Sequence, residues 1–134
     1  MKHVVVVEDD PINAVLFRKL LERRGGYRVT VTESPEEVLT LAASGEVALV
    51  VMDVSLADSR WEGKPVNGVD ICRLLKADPR SAGVPVVLAT AHAMRGDAES
   101  LMIESGADDY VSKPVVDHEA FVTLIRRWTD AEAA

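Results

Sequence analysis

Four short stretches of this 134-residue chain carry side chains that could work together if the fold gathered them: Glu8-Asp9-Asp10, Asp53, Thr90-Ala91 and Lys113-Pro114. Two carboxylates about 4 Å apart repel by on the order of 4 kcal/mol at an effective dielectric of 20, so a cluster of acids is unfavourable without a cation. Oxygen ligands with no His or Cys among them favour Mg²⁺, which keeps several waters and takes one or two carboxylates beside phosphate oxygens. A hydroxyl such as Thr90 and an ammonium such as Lys113 next to that metal suit the oxygens of a phosphoryl group. Glu8-Asp9 alone would be an ordinary solvated strand end. Its meaning depends on Asp53, Thr90 and Lys113 arriving at the same place.

The elements predicted around these residues bring them there. Residues 4–7 are a β-branched apolar run, the pattern of a strand covered on both faces. Asp10-Pro11 then supplies an N-cap with proline at the first helical position. Ile12, Val15, Leu16 and Leu20 keep helical spacing, with Lys19 the polar exception, until Gly25-Gly26 stops the helix. Residues 27–32 alternate and form a second, edge-ward strand. Ser34-Pro35-Glu36-Glu37 has the form of a capping box before a helix reaching Gly45. Residues 47–52 are the third strand and 84–89 the fourth, separated by a long polar connection over 53–68 and a helix over 69–76. A fourth helix spans about 96–105 and ends at Gly106. A fifth strand covers 109–112, and Asp117 caps a last helix built on Phe121, Leu124, Ile125 and Trp128. Five β-α repeats imply a parallel sheet with right-handed crossovers and helices on both faces. Ligands of such sheets bind outside the carboxyl ends of the strands. All four chemical stretches fall there.

Composition narrows the function classes. Apolar residues make up 48% and charged residues 28%, with a net charge of −7. That acidity argues against nucleic acid and against an anionic membrane surface as partners, since both need phosphate neutralisation. The longest apolar runs are far below the ~20 residues of a membrane span, and the first residues hold no signal-peptide core. The lone Cys72 excludes an intramolecular disulfide and a multi-cysteine metal site. It is expected to pack its helix on the sheet. His3 and His118 lack metal-ligand partners at useful spacing. A soluble, cytoplasmic protein with one domain over residues 1–134 is expected.

Glu8-Asp9, Asp53, Thr90-Ala91, Tyr110 and Lys113-Pro114 together resemble the signature of the receiver domain of two-component response regulators, over essentially the whole chain. The resemblance implies a flavodoxin-like (βα)5 α/β fold, doubly wound, with a five-stranded parallel sheet in the order 2-1-3-4-5. It implies Asp53 as phospho-acceptor and Mg²⁺ as cofactor, held directly by Asp9, through water by Glu8, and by Asp53 and the Ser55 backbone carbonyl. Thr90, with Ala91 beside it, and Lys113 would contact the phosphoryl oxygens, Tyr110 would be the aromatic switch, and the Lys113-Pro114 bond would be cis. The phosphoryl donor would be a histidine kinase or histidine phosphotransfer protein. The readout would be a downstream protein target that recognises the face formed by the fourth helix, fifth strand and fifth helix. The resemblance implies a monomer or weak dimer that is a switch rather than an enzyme, with only self-phosphorylation and autodephosphorylation at Asp53. Only a few residues follow the fifth helix, so a stand-alone receiver without an output domain is expected.

The chain departs from that pattern after Asp53. Where the family usually has proline four residues on, this sequence has Ala57, and the acidic-Gly pair of the family corresponds to Asn67-Gly68. The connection is longer by roughly seven residues, which costs little as a surface insertion. The sharper reading makes it a lid or specificity element beside the pocket, anchored by Trp61. His92, two residues after Thr90, is a candidate modulator of water attack, set against an ordinary exposed loop histidine. Two other functions compete. An aspartyl-phosphate phosphohydrolase of the dehalogenase type also uses a nucleophilic Asp in a parallel α/β fold, but typically has a second Asp two residues later, where Ser55 stands. A flavodoxin-like redox module is disfavoured because Glu8-Asp9-Asp10 would repel a flavin phosphate.

Overall fold

The computed structural model describes residues 1–56, 59–91 and 95–131. Elements follow in the order β1 (His3–Val7), α1 (Pro11–Lys19), β2 (Arg28–Thr32), α2 (Pro35–Ala43), β3 (Val47–Asp53), β4 (Arg60–Trp61), β5 (Lys64–Pro65), α3 (Gly68–Ala77), β6 (Val86–Thr90), α4 (Arg95–Ser105), β7 (Asp109–Ser112) and α5 (His118–Ala131). The main sheet is parallel in the order β2-β1-β3-β6-β7. Counting only its own five strands along the chain, this is the expected 2-1-3-4-5, and the fold is the flavodoxin-like doubly wound α/β sandwich.

Side-chain alternation sorts the strands into two cores. Val4, Val6, Leu49, Val51, Val87 and Ala89 pack with Phe17, Leu21, Tyr27, Phe121 and Ile125 under α1 and α5. Val5, Val7, Val50, Met52, Val86 and Leu88 pack with Val38, Ile71, Cys72 and Leu75 under α2 and α3. Cys72 is thus a core residue, as expected, and burial pushes its thiol up to about 11.

The helix boundaries follow local chemistry. Asp10 Oδ1 accepts from Ile12 N–H at 2.9 Å, and Pro11 opens α1, which continues through a π turn over Leu20–Arg24 to Gly25. Ser34 Oγ accepts from Glu37 N–H, but Ser34's own amide is taken by Thr32 Oγ1 at 3.0 Å, so the predicted capping box closes on one side only. The complete box lies at α3, where Asn67 Oδ1 accepts from Asp70 N–H and Asp70 Oδ2 from Asn67 N–H. The predicted turn pair Asn67-Gly68 is therefore a helix start. β6 begins two residues later than expected, because Val84 N–H donates to Ser81 O and Pro85 has no N–H to give.

The connection after β3 holds a small antiparallel hairpin, β4-β5, turning through Glu62 and Gly63 at φ 51 and 80. Asp117 Oδ1 caps α5 by accepting from Ala120 N–H. At the far end of α5, Tyr27 Oη bonds Thr129 Oγ1 at 2.8 Å, Trp128 Nε1 donates to Asp109 Oδ2, and Arg126 reaches Arg24 O. Below the amino end of β6, Lys76 Nζ donates to Ala82 O, Val84 O and Asp108 Oδ2, and Asp108 Oδ2 also accepts from Val86 N–H. Among the described residues no helix is long and apolar enough to cross a membrane.

Candidate functional site

Strand register alone assembles the site. Val7 lies beside Met52, so Glu8 follows level with Asp53; Asp53 lies beside Ala89, and Thr90 beside Ser112, so Lys113 follows level with the loop after β6. The alternation that buries Val6 and Val51 under α1 and α5 carries Glu8 and Asp53 to that same side. Thr90 falls in the row of Leu88, on the side where Tyr110 packs. One rim therefore presents acids toward one helical layer and the hydroxyl–aromatic pair toward the other.

The side chains meet as the register requires. Lys113 Nζ donates to Asp53 Oδ1 at 2.7 Å and to Glu8 Oε1 at 3.2 Å. Ser55 N–H turns back to Asp53 Oδ1 at 3.2 Å, and Lys113 N–H donates to Thr90 O at 2.9 Å. Carboxylate oxygens of Glu8, Asp9 and Asp53 lie within 4.8 Å of one another. The Glu8 side chain is 0% exposed, that of Asp53 3% and that of Lys113 12%. Thr90 is buried, Asp9 and Tyr110 are half-buried, and Ser55 and Ala91 are exposed. The Lys113-Pro114 peptide bond is cis.

Two buried carboxylates, Glu8 and Asp53, share one ammonium. Burial, then the neighbouring Asp53 carboxyl, push Glu8 up to about 7. Asp53 moves the other way: burial alone would raise it, but hydrogen bonds with Glu8 and Lys113 outweigh burial and hold it below the ordinary carboxylate value. Burial works against the Lys113 ammonium, yet Asp53 and Glu8 raise it above the usual lysine value. Glu8 Oε2 is buried with no hydrogen-bond partner. Such an oxygen is satisfied by a proton or by a cation. An all-oxygen donor set with one buried oxygen unused fits a hard dication of the size of Mg²⁺.

Residues 4–126 match the response regulator receiver domain family. The chain belongs to that family. Over 114 residues this receiver is 37% identical to the polar-differentiation response regulator DivK of Brucella ovis, a match covering 85% of each chain. Its structure is similar to the receiver domain of a sensor histidine kinase from Pseudomonas aeruginosa, with TM-score 0.79 and 26% identity over 96% of this chain and 98% of that one; that structure has a magnesium ion coordinated in its active-site cleft. Chemotaxis protein CheY4 of Vibrio cholerae shares the fold at 19% identity, with TM-score 0.77 over 96% of this chain and 98% of its own.

Of the residues singled out from the sequence, Trp61 does not join this cluster. His92 lies outside the described residues, as does Ala57. Trp61 sits in an open groove of about 840 Å³ with Leu39, Ala43, Leu74 and Ala77 of α2 and α3. It belongs to the flank of the domain instead of the pocket mouth, because the hairpin folds back over those two helices. Ser59 Oγ ties its base to Glu33 O at 2.9 Å. His3 is a buried packing residue bonded to Thr30 Oγ1 and Arg28.

Proposed function

We propose that this receiver is a Mg²⁺-dependent phosphorylation switch in which Asp53 accepts a phosphoryl group from a phosphohistidine on a histidine kinase or histidine phosphotransfer protein. The observation that carries the reading is Lys113 Nζ spanning Asp53 Oδ1 and Glu8 Oε1 at 2.7 and 3.2 Å inside the acidic cluster. Glu8, Asp9, Asp53 and the Ser55 carbonyl would hold the metal, which when bound supplies positive charge against that developing on the transferred group. An Asp53 carboxylate oxygen attacks phosphorus, the new O–P bond replaces the N–P bond of the donor, and the freed imidazole takes up a proton from solvent. Lys113 is already oriented by Asp53 and moves its ammonium to the phosphoryl oxygens without leaving the pocket. Water later attacks the phosphorus and returns the carboxylate. That autodephosphorylation is the only turnover, so the protein acts as a switch and not as an enzyme for a separate substrate.

The output follows from the second face of the rim. Thr90, drawn toward the phosphoryl oxygens, vacates volume on the side it shares with Tyr110, and Tyr110 fills it. That repacking shifts the balance between two arrangements of α4, β7 and α5, which a downstream protein distinguishes. The donor protein approaches over exposed apolar residues, Ile12 and Val15 of α1, the helix that follows Asp9, and Val116, three residues after Lys113. Incubation with acetyl phosphate and Mg²⁺ is expected to add one labile phosphate, located by mass spectrometry at Asp53, and Asp53→Asn is expected to abolish it. Undiminished incorporation in that variant refutes the assignment.

A further inference from the structure

Asp53 is held from behind as well as in front. α3 starts at Gly68, hard against the peptide that follows Asp53: a methyl group on Gly68 would overlap the Asp53 carbonyl oxygen and lie 2.8 Å from the carbonyl carbon and 3.0 Å from Val54 Cα. The backbone of Gly68 is not in the left-handed region, so its glycine is required by the missing side chain alone. Glycine is a poor helix residue, and its presence in the first turn runs against local preference. Gly68 N–H donates to Val54 O at 3.1 Å, while Val54 N–H donates to Ala89 O at 3.1 Å and Ser55 N–H to Asp53 Oδ1. The segment 53–55 is thus pinned by β6 on one side and by α3 on the other. The Asn67–Asp70 box, with bonds of 2.9 and 3.0 Å, fixes where α3 begins.

We infer that the start of α3 is a positioning clamp for the acceptor, with Gly68 setting how far Asp53 and the Ser55 carbonyl stand from Asp9 and Lys113. The inference rests on the proposed phosphorylation of Asp53 and adds a positioning residue to it. It also explains how a long insertion is tolerated one residue from the acceptor. The chain leaves and returns at a closed neck, Val54 O to Gly68 N–H, with a second closure at Ser59 O to Val66 N–H of 3.0 Å. The two closures stand between the β4-β5 hairpin and Asp53.

Adding one carbon at residue 68 forces segment 53–55 and α3 apart by on the order of 1 Å, a misplacement that costs about a hundredfold in rate. Gly68→Ala is therefore expected to take phosphate from acetyl phosphate with Mg²⁺ at about a hundredth of the wild-type rate. Its Val54 and Ser55 amide NMR resonances should shift while those of β2 stay, and Mg²⁺ should raise its melting temperature less than in the wild type. Val38→Ala, a cavity under α2 at a 0% exposed site, lowers stability but should keep the rate within about threefold, separating the clamp from general destabilisation. If Gly68→Ala does not fold, the Asn67→Ala/Asp70→Ala double variant loosens the clamp without adding an atom and should slow phosphorylation about tenfold. A folded Gly68→Ala, or failing that the double variant, with wild-type rate and unshifted resonances overturns the clamp. A wild-type protein that takes no phosphate overturns the phosphorylation reading instead. The clamp then stands or falls on the resonances and the Mg²⁺ response.

Discussion

α4 and α5 both flank β7, yet they are attached to it in different ways. α5 buries Phe121, Val122 and Ile125, and at its far end Thr129, Trp128 and Arg126 make hydrogen bonds to Tyr27, Asp109 and the backbone of Arg24. Among the described residues of α4 the buried ones are Ala98 and Ser105; Leu101 and Met102 are half-covered, and Ile103 is 85% exposed. Fully burying a large apolar side chain contributes about 1.5–3 kcal/mol. α5 has three such residues plus directional polar bonds, whereas the described residues of α4 bury one apolar side chain, Ala98, fully and pack Leu101 only partly. Displacing α4 costs less than displacing α5, so α4 is the element of the proposed output face that yields more readily.

The sharpest way to break this comparison is Phe121→Ala, which removes a ring packed 5.5 Å from that of Phe17. A loss of about 3–5 kcal/mol is expected in denaturant unfolding, and a loss below about 1 kcal/mol would mean α5 is held no better than α4.

The acids at the rim of the α5-side core come next. Glu8 titrates near 7 in the fold against 4.5 when unfolded. The folded state then holds a proton that the unfolded state has released, so stability of the metal-free protein is highest below about 4.5 and falls as pH rises to about 7. The fall is at most about 3 kcal/mol and levels off above. Asp53 opposes it only at lower pH: its depressed value adds stability that is present above 3.8 and lost as the medium is acidified below that. Unfolding followed against pH in chelator should show the decline in the wild type and not in Glu8→Gln. A flat wild-type curve would contradict the buried, proton-bearing Glu8.

Smaller effects refine the picture. Tyr27→Phe deletes the buried bond to Thr129, whose hydroxyl keeps a contact with Arg126 O at 3.3 Å. A loss of about 1 kcal/mol is expected. Ile103→Ser should change stability by less than about 0.5 kcal/mol, and amides of α4 should exchange with solvent faster than those of α5. Equal exchange in the two helices would erase the distinction.

Much of this was legible in the sequence because it depended on period and position. Apolar runs at 4–7 and 47–52 marked strands covered on both sides, and residues just past strand ends converge in any parallel sheet of this kind. Asp53 and Lys113, sixty residues apart in sequence, meet for that reason alone. What escaped the sequence was set by tertiary contacts. Two-residue strands have no periodicity to detect, so the hairpin reads as loop, and no motif tells that Trp61 faces α2 and α3. The box at Ser34 failed for a competitor, Thr32, that no motif includes. Asn67-Gly68 carried a turn's composition but starts a helix, and the reason residue 68 must be glycine is a backbone from fifteen residues earlier pressing on it.

The Lys76 knot lies at the opposite end of the sheet from Asp53. It gathers the end of α3, the run into β6 and the residue just before β7 around a single ammonium, and so tethers the chain three residues after α4 stops. A helix fastened at its base and weakly seated along its length moves as a lever. Under the proposed phosphorylation of Asp53, displacement would be greatest beside Thr90 and fade toward the fulcrum, so that a local chemical event would become a tilt at the helix surface.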